Sequence, residues 1–308
     1  MTSTAFPSSL PKHEAWPALP FAEWKDTFAT LHMWMQVVGK VRLELSPHMN
    51  HWWEVPLYVG ARGLTTSPIP YRLGIFEVEF DFLEHALRIV TSQGRTKVIR
   101  LAPKTVAAFY SEFMAALHSL GIEVHIWPMP VEIPDPIRFD EDTLHASYEP
   151  EYANRFWRIL VTVDTILKQF RARFIGKASP VHFFWGSFDM AVTRFSGRPA
   201  PERPGADKIT RDAYSHEVIS GGWWPGGGDF KSPAFYAYAA PEPAGFRDSL
   251  VKPAKAFYDS KLGEFILSYE DVRNEADPNA ALTDFLQSTY ESGANLGKWD
   301  RVALEKLI

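Results

Sequence analysis

The middle of this chain echoes its beginning. His51-Trp52-Trp53 leads through an apolar stretch to Arg62, and His182-Phe183-Phe184 leads through another to Arg194. Before each block lies a helical pattern ending in arginine: Leu31, Trp34, Val38, Val41, Arg42 in the first copy and Leu160, Val163, Leu167, Phe170, Arg171 in the second. The apolar steps match one for one. Such an echo constrains the fold, because two related units usually pack about a pseudo-twofold axis, and the seam between them forms a cleft where ligands bind. The expected fold is α+β: two related lobes from an internal duplication, each a mostly antiparallel sheet flanked by an N-terminal and a C-terminal helix.

Periodicity divides the chain accordingly. Residues 1–20, rich in Pro and Ser, read as a flexible tail; 21–127 as the first lobe; 128–150 as a connector; and 151–308 as the second lobe. From Phe21 to about Gly39, Trp24, Phe28, Leu31, Met35 and Val38 recur at steps of four and three, which predicts a helix with one buried stripe. Strands are predicted at His51–Ala61, with Pro56 as an edge or bulge position, and at 75–82, 86–91 and 97–101. A turn at Ser92-Gln93-Gly94-Arg95 makes the last two a hairpin. A helix over 106–120 ends at Gly121, and a short strand follows at 122–127. The connector carries five prolines and an acidic group around Asp140. The pattern then repeats, with a helix over 151–174, a long strand from Pro180 to Phe195, and further strands at 215–221, 234–239 and 264–269. A last helix, 279–292, starts at Asp277-Pro278.

Composition narrows the chemistry. The formal charge of -5, with no Lys/Arg cluster longer than a pair, argues against nucleic acid, whose binding needs concentrated positive charge. The absence of cysteine excludes disulfides, thiolate metal sites and a cysteine nucleophile. The first twenty residues have neither the basic start nor the apolar core of a signal peptide, and no run approaches the roughly 20 apolar residues of a membrane helix. A cytoplasmic protein is expected, without membrane or nucleic-acid partners. Eleven Trp and 22 Phe exceed what a core of this size needs, so some are expected to line a pocket.

On one unbroken strand His182 and Arg194 share a face. His182 reads either as a core histidine bonded to a backbone carbonyl or as a general base or metal ligand. Arg62 and Arg194, flanked by apolar residues, need acidic partners, which are either internal carboxylates or an anionic ligand held bidentately. Ser215-His216-Glu217 is no relay, since strand neighbours point to opposite faces. His182, His216 and Glu217 are candidate ligands for a divalent metal, although no spacing signature such as His-Glu-x-x-His accompanies them. Trp223 and Trp224, in the glycine-rich run 221–228, read either as a cover over a ligand or as a plug into the core. Tyr236 and Tyr238 put two hydroxyls on one strand face, and His51 belongs to the first block. Gly226 to Gly228 read as a turn, because they lack a P-loop's Lys-Ser/Thr.

Several strings carry a resemblance. Leu31-His32-Met33-Trp34, Val38-Gly39-Lys40-Val41-Arg42 and Asn50-His51-Trp52-Trp53-Glu54-Val55-Pro56-Leu57-Tyr58 resemble a bacterial family known as a domain of unknown function. So do Arg62-Gly63-Leu64-Thr65-Thr66-Ser67-Pro68, the run from Ser179 to Asp189, and Tyr214 to Ser220. The resemblance spans nearly the whole chain after the tail, and it implies membership without an activity, cofactor or catalytic residue. Three readings stay open. One is an enzyme on a small anionic, partly apolar metabolite, with His182 and His216 catalytic and Arg62, Arg194, Trp223, Trp224, Tyr236, Tyr238 and His51 binding. The others are a non-catalytic small-molecule binder and a structural or interaction protein. No cofactor is required.

Overall fold

A computed structural model describes residues 15–227 and 230–306. Most of the predicted tail and Gly228 therefore lie outside the described residues. The end of the stretch read as a tail is packed: Trp16 and Leu19 are buried, and the Trp16 indole donates to Asn279 Oδ1 at 3.1 Å.

The chain opens with helix α1, Phe21–Leu45. Every residue from Thr30 to Arg42 is buried. This helix is enclosed on all sides, which corrects the expectation of a single buried stripe. Its polar residues accordingly have internal uses. His32 Nε2 donates to the Trp185 and Gly186 carbonyls at 3.0 and 2.9 Å, and Gln36 clamps the Val131 backbone through two 2.8 Å bonds.

The stretch predicted as strand 51–61 is mostly a tight 3-10 turn, Asn50–Trp52, followed only at its end by β1, Tyr58–Val59. His51 and Trp52 both have left-handed φ, 61° and 59°. Next come β2 (Gly63–Thr65), β3 (Ile69–Tyr71), β4 (Gly74–Asp81), β5 (Ala86–Thr91) and β6 (Thr96–Arg100). They form an antiparallel sheet of order β1-β2-β4-β5-β6, with β3 also paired to β4. The predicted β5–β6 turn is present, with Gly94 at φ 79°. Phe76, Val78 and Phe80 alternate inward on β4, as a half-buried strand requires.

Helix α2, Val106–Ser119, is capped by Thr105, whose side chain accepts from Ala108 N at 3.1 Å, and Gly121 follows it at φ 75°. The predicted strand at 122–127 is absent; that stretch buries Ile122 and Ile126 without strand partners.

After the proline-rich segment comes α3, Pro150–Ala172. The long predicted strand 180–195 is a hairpin: β7, His182–Phe184, turns at 185–188 into β8, Asp189–Pro199. Helix α4, Lys208–Ala213, leads to β9 (His216–Trp224), β10 (Ala234–Ala240), β11 (Phe257–Asp259) and β12 (Glu264–Ser268). The second sheet runs β11-β12-β10-β9-β8-β7, all antiparallel. Helices α5 (Tyr269–Arg273), α6 (Pro278–Leu296) and α7 (Arg301–Leu304) close the chain.

The fold is α+β. Its halves share a connectivity: a long helix, an antiparallel meander, then a helix. Their first strands meet edge to edge, where Leu57 and Phe183 exchange backbone bonds of 2.8 and 3.0 Å. The residue echo does not fall on equivalent positions, since His51 sits in the 3-10 turn and His182 in β7. One hydrophobic core runs through both halves. No helix among the described residues is long and apolar enough to cross a membrane.

Candidate functional site

The second sheet has two unlike faces. Its back carries Met190, Val192 and Arg194 of β8, Ile219 and Trp223 of β9, and Phe235 and Ala237 of β10, under α3 and α6. Its front carries the residues of opposite parity: Ala191, Thr193 and Phe195 of β8, Val218, Ser220 and Trp224 of β9, Tyr236 and Tyr238 of β10, and Glu264 at the start of β12. These form the floor of a cavity of about 620 Å³. Its roof comes from α1 (Lys40, Leu43), the strained turn (His51, Trp52, Trp53), Val131-Glu132, the β7–β8 turn (Trp185 to Ser187), and Tyr214.

Register builds the floor. Thr193, Ser220 and Tyr238 face one another across β8, β9 and β10, as do Ala191, Gly222 and Tyr236. Thr193 Oγ1 and Ser220 Oγ lie 2.9 Å apart, and the hydroxyls of Tyr238 and Tyr214 are 3.0 Å apart. Gly222 lets the Tyr236 ring lie across β9. A Cβ there would stand 2.6 Å from the Tyr236 hydroxyl and 2.3 Å from the Met190 carbonyl oxygen, closer than such atoms approach. Through that gap Tyr236 donates to the Asp189 carboxylate, which also accepts from Ser187 Oγ.

Three carboxylates line this space: Glu132, Asp189 and Glu264. Asp189 is buried, Glu264 half-buried and Glu132 more exposed, and loss of surrounding water pushes all three up, against the charged form. For Glu132 the Asp189 charge adds to burial; for Asp189 the Ser187 and Tyr236 hydroxyls oppose it; for Glu264 the Asp189 and Asp259 charges add to it and carry the group to about 7. None of the three is ion-paired among the described residues. Around them stand the rings of Trp53, Phe184, Trp185, Phe195 and Trp224. An aromatic box with unneutralised carboxylates suits a cation, which gains both Coulomb attraction and the ring faces.

His51 lines the cavity as expected. Its Nδ1 is 3.1 Å from the Asp212 carbonyl and must donate, so Nε2 accepts from Lys177 Nζ at 2.7 Å. Burial and then the Lys177 charge hold His51 below the usual histidine range. Trp224, Tyr236 and Tyr238 also face the cavity, with Trp224 packed on Phe230 at a ring distance of 5.1 Å. Trp223 does not: strand alternation sends it to the back face, beside Tyr269 and Phe156.

The expectation that His182 and Arg194 share a face is corrected by the hairpin. His182 pairs with Ala191, so it lies on the front side while Arg194 lies on the back. Arg194 is a core residue, its guanidinium 3.5 Å from the Phe170 ring centroid and 4.2 Å from that of Tyr290, and it donates to the Phe170 carbonyl. Arg62 follows the internal alternative. Its Nε is 2.6 Å from Asp81 Oδ2, and neither residue lines the cavity.

The metal trio is dispersed. His182 is buried behind the cavity wall among Trp53, Tyr58 and Phe184, with neither ring nitrogen bonded, and burial plus the charges of Arg42 and Arg171 hold it at about 3. His216 pairs with Pro199, eight residues and a bulge along β8 from the partner of His182, and the rings of Trp53 and His51 stand between the two histidines. Glu217 is tied to Arg198 at 2.6 Å and Ser196 at 2.8 Å. Among the described residues no group of three His, Asp or Glu could hold a metal. Ser215 precedes the strand, so its Oγ does reach His216 Nδ1, at 3.1 Å, but neither residue lines the cavity.

Sequence reasoning missed Lys40, Glu132, Asp189 and Glu264. One signal was present: Gly221-Gly222 inside a strand marks a close approach. The chain matches the family model described as "Family of unknown function (DUF5996)" over residues 16–306. No curated protein and no solved structure matches it.

Proposed function

The chain belongs to DUF5996, a family of unknown function, so its activity is to be sought in the cavity itself, and we propose that it binds a small, partly apolar organic cation there. One observation carries this reading: the buried Asp189, the half-buried Glu264 and the more exposed Glu132 line one aromatic-walled space without an ion-pair partner among the described residues. Keeping carboxylates out of water is costly unless a cation compensates. An ammonium group offsets that cost, and the indole and phenol faces add cation–π attraction of about 0.5–2 kcal/mol. The anionic ligand expected from Arg62 and Arg194 loses its support, because both arginines are engaged elsewhere.

Tryptophan fluorescence tests the reading, since Trp52, Trp53, Trp185 and Trp224 line the cavity. Benzylamine is expected to give a saturable change, while benzyl alcohol and benzoate give none. Equal responses to all three, or none to benzylamine, overturn it.

Glu264, at about 7, favours a second reading in which the same site turns over its amine, since a general base works best near the operating pH. Loss of bound amine with time, abolished by Glu264→Gln, distinguishes enzyme from binder. The recurring helix–meander–helix connectivity supports an origin of the two halves by duplication.

A further inference from the structure

A single ammonium leaves part of this cavity uncompensated, because its acids stand on two sides. Asp189 opens β8, and Glu132 lies against the β7–β8 turn, where a Cβ on Gly186 would meet Glu132 Oε1 at 2.5 Å. Glu264 opens β12. Strands β9 and β10 separate β8 from β12, about 14 Å along the sheet at the ordinary strand spacing. The Tyr236 ring, from β10, reaches back over Gly222 to donate to Asp189, so it lies on the floor between the two sides. One ligand can still span them, since the Asp189 charge acts on Glu132 and on Glu264 alike.

The lining itself supplies little positive charge. Among the described residues that line the cavity only Lys40 and His51 are basic. Lys40 holds its Nζ 5.0 Å from the centroid of the exposed Trp127 ring, which is not part of the lining. His51 accepts from Lys177 through Nε2 and is therefore neutral. The volume of about 620 Å³ is in the range that takes a molecule larger than one ring bearing one amine.

We propose that the ligand is a dication, a diamine with an apolar middle, one ammonium directed to Glu132 and Asp189 and the other to Glu264. This rests on the cation reading above and specifies the class of cation. Each ammonium makes charge-assisted bonds at its own side of the Tyr236 ring, and two positive charges come close to balancing three carboxylates. The aromatic walls take the apolar middle.

The test sets benzylamine beside two probes built on the same ring, 1,4-bis(aminomethyl)benzene and 4-(aminomethyl)benzyl alcohol, which share a shape and differ by one charge. Fluorescence titration at about 0.5 M salt screens the general attraction of a dication to a chain of charge -5. The diamine is expected to bind about tenfold tighter than the amino alcohol or more; its two equivalent ends account for about twofold by counting alone. Glu264→Gln and Glu132→Gln should each bring the ratio of the two affinities down toward that factor, whatever the variant does to affinity as a whole. The wild-type ratio needs only the unaltered protein, so it stands even where a variant fails to fold. If benzylamine does not bind, the cation reading falls and takes this inference with it. If benzylamine binds but the diamine exceeds the amino alcohol by no more than about twofold, or its advantage survives in both variants, the inference alone falls.

Discussion

Replacing Glu264 by glutamine should make the protein more stable at neutral and alkaline pH, and the size of the gain follows from the site. Burial first, then the charges of Asp189 and Asp259, raise this carboxyl from 4.5 to about 7. Below pH 4.5 the group is protonated in folded and unfolded chains alike and has no effect on stability. Between 4.5 and 7 the unfolded chain ionises while the folded one keeps its proton, so stability falls as pH rises. Above 7 the folded carboxylate is ionised too, and the full cost is present. That displacement corresponds to about 3 kcal/mol at most, a sizeable part of the 5–15 kcal/mol or so that holds a typical domain together. Glutamine keeps the shape and never ionises. Urea unfolding of both proteins at pH 5 and pH 8 measures the effect: the variant should gain about 2–3 kcal/mol over wild type between the two. Saturating benzylamine should close the gap by stabilising wild type alone at pH 8. Parallel pH dependences in the two proteins would refute the argument, because Glu264 would then be solvated and ordinary.

Gly222→Ala puts a Cβ against the Met190 carbonyl and the Tyr236 hydroxyl; overpacking and loss of the Tyr236–Asp189 bond should cost about 3 kcal/mol and weaken amine binding, measured by urea unfolding and fluorescence titration. Asp81→Asn removes the charge that holds Arg62 at 2.6 Å and Arg88 at 3.1 Å. It should cost about 1–3 kcal/mol without changing affinity for benzylamine. Burial raises Asp81, but Arg62, two backbone N–H groups and Arg88 outweigh it and hold the group at about 2. The wild-type advantage is thus present above the ordinary 3.8 and lost as pH falls toward 2. The His182 ring, held at about 3 by burial and the Arg42 and Arg171 charges, should show no titration by NMR between about pH 5 and 8; an inflection in that window would mean the ring is solvated or paired with an acid.

Local pattern read the frame well where one element has one environment. Alternation along 75–82 and 86–91, the Gly94 turn, the Gly121 stop and the Asp277-Pro278 start all appear at or within a residue or two of the expected places. It failed at 122–127, which found no strand partner, and at two turns whose left-handed residues are not glycine. Phe188 carries φ 61°, which left a hairpin hidden inside an apparently continuous strand and sent Arg194 to the face opposite His182. His51 and Trp52 take left-handed conformations that aromatic and imidazole side chains seldom adopt, so a run reading as a strand became part of the cavity roof.

The sequence by itself determined where most of the helices and strands lie, because hydrogen-bond spacing and apolar period act over a few residues. It also determined what the chain lacks, cysteine chemistry above all. Only the tertiary structure decided what each polar group does. Arg194 is a core residue because Phe170 and Tyr290, from two distant helices, close on it, and Glu264 is a poised acid because burial and Asp189, on another strand, act on it. Desolvation and charge pairing depend on neighbours brought together across the fold, and a single turn can exchange one face of a sheet for the other.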